Sequence, residues 1–110
     1  MAETEEDDRA ETDPGPLFLI VSIRPKLDQL AEARAQLKSM IENNLKEDGC
    51  VWMHLVQSDD DEPNTWTMLE HFKSRAAWDE HMASDHNIRG NELLEPLLRE
   101  PSTLRLCREV

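Results

Sequence analysis

Three of the four histidines in this 110-residue chain fall in one short stretch, Glu70 to His86. The stretch opens with a carboxylate, Glu70, and carries His71, His81 and His86. An unperturbed imidazole titrates near ~6.5, so it exchanges protons close to physiological pH. A carboxylate nearby adds an orienting partner or a second proton-transfer group. These types point to general acid–base chemistry on a small molecule. Other chemistries lack their residues. There is no nucleophile elbow, and three glycines form no phosphate-cradling loop. Cys50 and Cys107 stand far apart and fit no metal or redox spacing, which suggests two buried, reduced thiols in a cytoplasmic protein. His71, His81, His86 and Glu70 are metal-ligand types, but their spacing matches no zinc pattern. No metal and no cofactor are therefore expected.

The elements that must position these groups are short. Leu17 to Ile23 is an apolar, β-branched run that reads as a strand buried on both faces. Apolar residues from Leu27 to Leu45 recur at helical spacing, with Asp28 as the expected N-cap and Gly49 as the stop. Cys50 to Val56 is a second strand, again apolar on both faces. Ser58 to Asn64 is a solvated turn. Thr65 to Phe72 is a third strand, alternating so that Trp66, Met68, Glu70 and Phe72 share a face. Ser74 caps a helix from Arg75 to about Ala83. A short helix ending near Pro101 and a last strand, Thr103 to Val110, complete the chain.

Met1 to Pro16 stands apart. It carries seven acids against one base, half of the net charge of −12, and no aromatic or β-branched aliphatic residue. It cannot bury enough apolar surface to offset its ordering entropy and is expected to be a disordered acidic tail. The domain is then residues 17–110. An acidic surface repels phosphate backbones and anionic lipid, so neither nucleic acid nor membrane is an expected partner. The N-terminus has no apolar run behind basic residues, and nothing approaches the ~20 apolar residues of a membrane span.

The order β-α-β-β-α-β implies an α+β, ferredoxin-like sandwich: a four-stranded antiparallel sheet with helices on one face. Helices on one face leave the other apolar face bare, a larger patch than soluble monomers tolerate. A second copy packed sheet to sheet resolves this, so a homodimer is expected.

The chain also resembles a known family. Glu47-x-Gly49-Cys50 enters the second strand, an Asp-rich turn ends in Pro63, Glu70 stands on the third strand, and Ala77 is followed by His81, Ser84 and His86. This is similar to the antibiotic biosynthesis monooxygenase, or quinol-monooxygenase-like, domain of the dimeric α+β barrel superfamily. The resemblance runs from Leu17 to Val110. It implies a dimer with a pocket between sheet and helices in each subunit. It also implies oxidation of phenolic, quinol or anthrone substrates by O2 without metal or flavin, although relatives degrade haem, isomerise small sugar-like signals or have no established activity. Two departures stand out. A tyrosine common near the position of Met53 is absent, and Asn87 replaces an aromatic after the second helical histidine.

Cofactor-free oxygenation needs a base, an apolar slot and donors for a developing oxyanion. His81 lies one turn from Ala77 on the apolar stripe of its helix and is the expected base. Glu70 is its expected orienting partner, with an ion pair to Arg75 as the alternative. His86, just past the helix, serves the pocket or a turn. Trp66, Met68, Phe72 and Trp78 are the expected wall for an aromatic ligand. Arg24 either binds a ligand carboxylate or phenolate or is an exposed surface arginine. His54 shares a face with Trp52 that is assigned to the dimer side, and His71 is read as structural. The expected substrate is a quinol-like or polycyclic phenolic molecule. The alternatives are a non-catalytic binding or stress-response module, or a His/Glu isomerase.

Overall fold

The computed structural model describes residues 15–59 and 62–110. The segment read as an acidic tail lies outside them, apart from Gly15 and Pro16. Four strands form one antiparallel sheet: β1 (Leu17–Pro25), β2 (Cys50–Val56), β3 (Trp66–Phe72) and β4 (Leu98–Arg108). Their order across the sheet is β2-β3-β1-β4. Three helices, α1 (Leu30–Asn44), α2 (Arg75–Ala83) and α3 (Asp85–Leu94), pack on one face. A 3-10 turn, Glu95–Leu97, leads into β4. This is the α+β, ferredoxin-like architecture expected from the element order. No helix among the described residues is long and apolar enough to cross a membrane.

Strand register sorts the side chains into two faces. Leu17, Leu19, Ile23, Met53, Trp66, Met68 and Phe72 are buried and meet Ala33, Leu37 and Leu94 of the helices. A bulge between Cys50 and Trp52 lets both Cys50 and Met53 turn inward. The opposite face carries Phe18, Ile20, Trp52, His54, Leu69 and His71, and none of these is buried. Phe18 stacks on His71 at 4.5 Å, and Trp52 lies 5.3 Å from both His54 and His71. The structure thus has the two apolar sheet surfaces read from the sequence, with helices over only one.

Three local expectations need correction: Asp28 as the cap of α1, Gly49 as its stop, and Thr103 as the start of β4. α1 starts at Leu30 after Gln29, and Asp28 does not cap it. The two helices expected after β3 are both present and meet at Ser84, the second ending at Leu94. The Ser84 hydroxyl donates to the His81 carbonyl at 2.7 Å and accepts from the Asn87 amide at 3.3 Å. One residue therefore ends α2 and starts α3. β4 begins at Leu98, not Thr103, and includes Pro101. Proline suits an edge strand, where a missing N–H removes no ladder bond. Ser74 behaves as expected, accepting from the Ala77 amide at 3.1 Å.

Gly49 does not stop α1, which ends at Asn44. Its role is closeness: a Cβ there would lie 2.5 Å from the Ala77 Cβ. Only glycine lets the turn after α1 dock on α2. Gly49→Ala should cost roughly 1–3 kcal/mol in urea denaturation through overpacking. Ala77→Gly should be less costly in that background than in the parent, because it removes the opposing methyl. A Gly49→Ala protein as stable as the parent would mean that the turn and α2 are not packed this tightly.

Candidate functional site

A cavity of about 150 Å³ lies between the sheet and the helices. Its floor is Leu19, Val21, Ile23, Met53, Met68 and Glu70 from the sheet. Its roof is Leu37, Met40 and Asn44 from α1, Trp78, His81 and Met82 from α2, and Asn87, Asn91 and Leu94 from α3. Ser102 and Leu104 of β4 close one side. Met82 and Leu104 are both nearly half exposed, at 45% and 48%, and mark the mouth. A wider groove of about 390 Å³ between α3 and β4 shares Asn91, Leu94 and Ser102 with the cavity but contains no histidine.

His81 is the buried histidine of the cavity wall. It sits in the last turn of α2, and its ring packs 5.0 Å from Phe72. Its Nδ1 lies 2.8 Å from Oε2 of Glu47. The same oxygen lies 2.6 Å from Nε2 of His86. A carboxylate oxygen only accepts, so both imidazoles donate to it. With Nδ1 carrying the proton, a neutral His81 keeps the lone pair of Nε2, which bonds no described residue. That is the tautomer of a base facing the cavity. Glu47, not Glu70, therefore holds His81.

Glu47 is set by backbone geometry. The turn Leu45–Gly49 has bonds from the Glu47 amide to the Asn44 carbonyl (3.0 Å) and from the Cys50 amide to the Glu47 carbonyl (3.1 Å). Gly49 then brings this turn against α2. The Ser84 break swings His86 back over the end of α2, so His81 and His86 converge on one carboxylate. Together they form a group of three metal-ligand types, assembled from beyond the stretch whose spacing had suggested none.

Glu70 faces the cavity from β3 and has no hydrogen-bond or ion-pair partner among the described residues. Arg75, the alternative partner, is taken by Asp79 at 3.2 Å. Burial pushes the Glu70 carboxyl from 4.5 up to about 7. It is a proton donor or acceptor poised near neutrality. Burial, and then the charges of Glu47 and Glu70, push the Cys50 thiol up to about 11, which makes it inert as a nucleophile. Cys107 is partly exposed rather than buried, and both cysteines are free.

The expected aromatic wall is only half present. Met68 and Trp78 line the cavity, and Arg75 covers Trp78 at 5.0 Å. Phe72 is fully buried behind His81. Trp66 lies under Arg34 at 5.5 Å, away from the cavity, where it fills core. Arg24 pairs with Glu100 at 3.4 Å and does not reach the cavity either. Two residues not expected in the site take part instead: Asn44, which sequence reading passed over, and Asn87, noted only as a departure from the family pattern. Buried Asn44 and Asn87 donate their side-chain N–H groups to the sulfurs of Met53 (3.4 Å) and Met82 (3.7 Å). Thioethers are weak acceptors, so a ligand oxygen would be a better partner for both. The only signal in the sequence was a polar residue at each helix's apolar stripe.

Comparison with known proteins gives a consistent result. A family model described as antibiotic biosynthesis monooxygenase matches residues 16–93. The Mycobacterium tuberculosis protein "Putative monooxygenase Rv0793" is 33% identical over 86 residues, 78% of this chain and 83% of that one. Its solved structure superposes with a TM-score of 0.80 at 29% identity, covering 87% of this chain and 96% of that one. A conserved protein of Methanosarcina mazei Go1 superposes with a TM-score of 0.82 at 28% identity, over 88% and 95% of the two chains.

The state of Glu70 has a measurable consequence. A carboxyl whose folded value lies above its unfolded one is kept neutral by the fold, so stability falls as pH rises from 4.5 to about 7 and then levels off. Glu70→Gln should leave stability unchanged near about pH 4 and raise it by roughly 1–3 kcal/mol near about pH 8. Thermal or urea unfolding at both pH values tests this. An equal effect at the two would mean that the carboxyl is not desolvated.

Proposed function

This chain belongs to the antibiotic biosynthesis monooxygenase family, and from that premise we propose that it is a homodimeric, cofactor-independent monooxygenase acting with O2 on a quinol-like or single-ring phenolic substrate. The observation that carries this reading is His81. It borders an apolar cavity, donates Nδ1–H to Glu47 and leaves Nε2 free. Size favours one ring. A cavity near 150 Å³ suits a benzene-sized group, whereas a polycyclic phenol needs more of the range usual for ligand pockets.

The chemistry follows from the residues present. His81 Nε2 takes the phenolic proton. The N–H groups of Asn44 and Asn87 bond the phenolate oxygen and stabilise its charge. The electron-rich anion passes one electron to O2, the pair recombines at a ring C–H carbon as a peroxide anion, and the proton held by His81 converts it to the hydroperoxide. The C–H proton leaves to a base, the O–O bond breaks and water departs. The carbon keeps one oxygen as a carbonyl, and both electrons of the substrate have gone to the other oxygen atom. Glu70, which burial leaves about half protonated near pH 7, supplies the proton that converts the departing oxygen to water. Met68 and Trp78 hold the ring by apolar contact.

The bare sheet face supports the dimer. Phe18, Trp52, Leu69 and His71 form a contiguous apolar surface that a second copy would cover. Free Cys50 and Cys107 suit a reducing, cytoplasmic setting.

Oxygen-electrode assays with substituted hydroquinones and phenols test the activity. Uptake should be catalysed, and His81→Ala should lower it by about 10²–10⁴-fold. Unchanged rates in the variant would remove His81 from the mechanism. Ligand binding without oxygen consumption would favour a binding module, and product formed without O2 an isomerase. Light scattering at micromolar concentration should give the dimer mass, and a monomer would refute the assembly.

A further inference from the structure

We propose that Glu47, His81 and His86 form a binding site for a borderline divalent cation such as Zn2+, and that the bound ion silences His81 as a base. The binding stands alone, and the silencing rests on the function proposed above. Two imidazoles and a carboxylate are a familiar zinc ligand set, with a fourth position left to water. Nitrogen ligands favour Zn2+ and its transition-metal neighbours over Mg2+ or Ca2+, which prefer oxygen.

The geometry is close to what an ion requires. The ligand atoms all lie within 4.8 Å of one another, and two of the three separations are 2.8 and 2.6 Å. An ion ~2.0–2.1 Å from each ligand sets them ~3.3 Å apart. The two short edges open slightly, and the two nitrogens draw together. Glu47 and His86, with side chains 19% and 35% exposed, have room to make these rotations, while His81 at 5% stays anchored.

Access comes from outside the cavity. The cluster opens on a surface cleft of about 310 Å³ that also holds Asp48, Glu80 and Ser84. No lysine or arginine lines this cleft, so no fixed cation competes for Glu47. Asp48 and Glu80 add negative potential that concentrates cations at the entrance.

Binding changes the tautomer. The ion needs the Nδ1 lone pair of His81, which now carries a proton for Glu47. That N–H bond breaks, an Nε2–H bond forms, and a metal–Nδ1 bond replaces the hydrogen bond. His86 makes the mirror change, from Nε2–H to Nδ1–H, with no net proton released. His81 then presents N–H to the cavity and cannot accept a phenolic proton.

Calorimetric titration of ZnCl2 into tag-free, chelator-treated, full-length protein tests the site. One ion per chain is expected. Glu47→Gln and His86→Asn should each weaken binding at least about 10-fold, the lower end of what loss of a ligand's supporting partner costs. His86 is partly exposed, so its variant should fold, and circular dichroism checks that it does. No saturable binding, or binding that both substitutions leave unchanged, overturns the site. Saturating Zn2+ should abolish oxygen uptake and a chelator restore it. Uptake that persists at saturation overturns the silencing. If there is no uptake with or without Zn2+, the oxygenase reading falls, while stoichiometric binding lost in both variants still upholds the site.

Discussion

One carboxylate oxygen organises the site. Oε2 of Glu47 accepts from both His81 and His86, at 2.8 and 2.6 Å. A buried imidazole must have a partner for its N–H, and here that partner comes from a turn 34 positions earlier in the chain. The bond decides which nitrogen of His81 carries the proton and so which one meets the cavity. Several unrelated features serve this contact. Gly49 lets the turn approach Ala77, the bonds within Leu45–Cys50 aim Glu47, and Ser84 breaks the helix so that His86 returns. Each is a backbone solution to one electrostatic requirement.

The cavity combines two proton-transfer groups with different supports. His81 has a fixed partner and a free nitrogen. Glu70 has no partner among the described residues, and burial alone lifts it to about 7. A pocket with a base that has a free lone pair and a carboxyl that burial keeps protonated toward neutral pH can both take and give a proton. Between them, Asn44 and Asn87 spend their N–H groups on methionine sulfurs, which leaves them available at small cost to a ligand oxygen. The absent tyrosine is thus no obstacle to binding a phenolate, because amides can donate in its place.

Much of this was legible in the sequence, for identifiable reasons. Strand periodicity, the Ser74 cap and the double apolar faces of β1 and β2 are local patterns, and local patterns read directly. Glu70 was legible because a carboxylate among Trp66, Met68 and Phe72 is anomalous. Glu47 was read only as part of the Glu47-x-Gly49-Cys50 motif and not as a site residue, because its role lies in a contact with residues distant in sequence. Trp66 and Phe72 were misread as wall because core and pocket aromatics share the same spacing, and depth separates them only in three dimensions. The start of β4 was hidden by Pro101, which stops a helix but is tolerated on an edge strand.

The account stands on the tautomer of His81, which can be read directly. A long-range proton–nitrogen correlation spectrum of the histidine side chains, taken at a pH where the rings are neutral, separates protonated from unprotonated ring nitrogens. The account predicts protonated Nδ1 and bare Nε2 for His81, with that pattern lost in Glu47→Gln. A neutral His81 carrying its proton on Nε2 in the parent protein would contradict it.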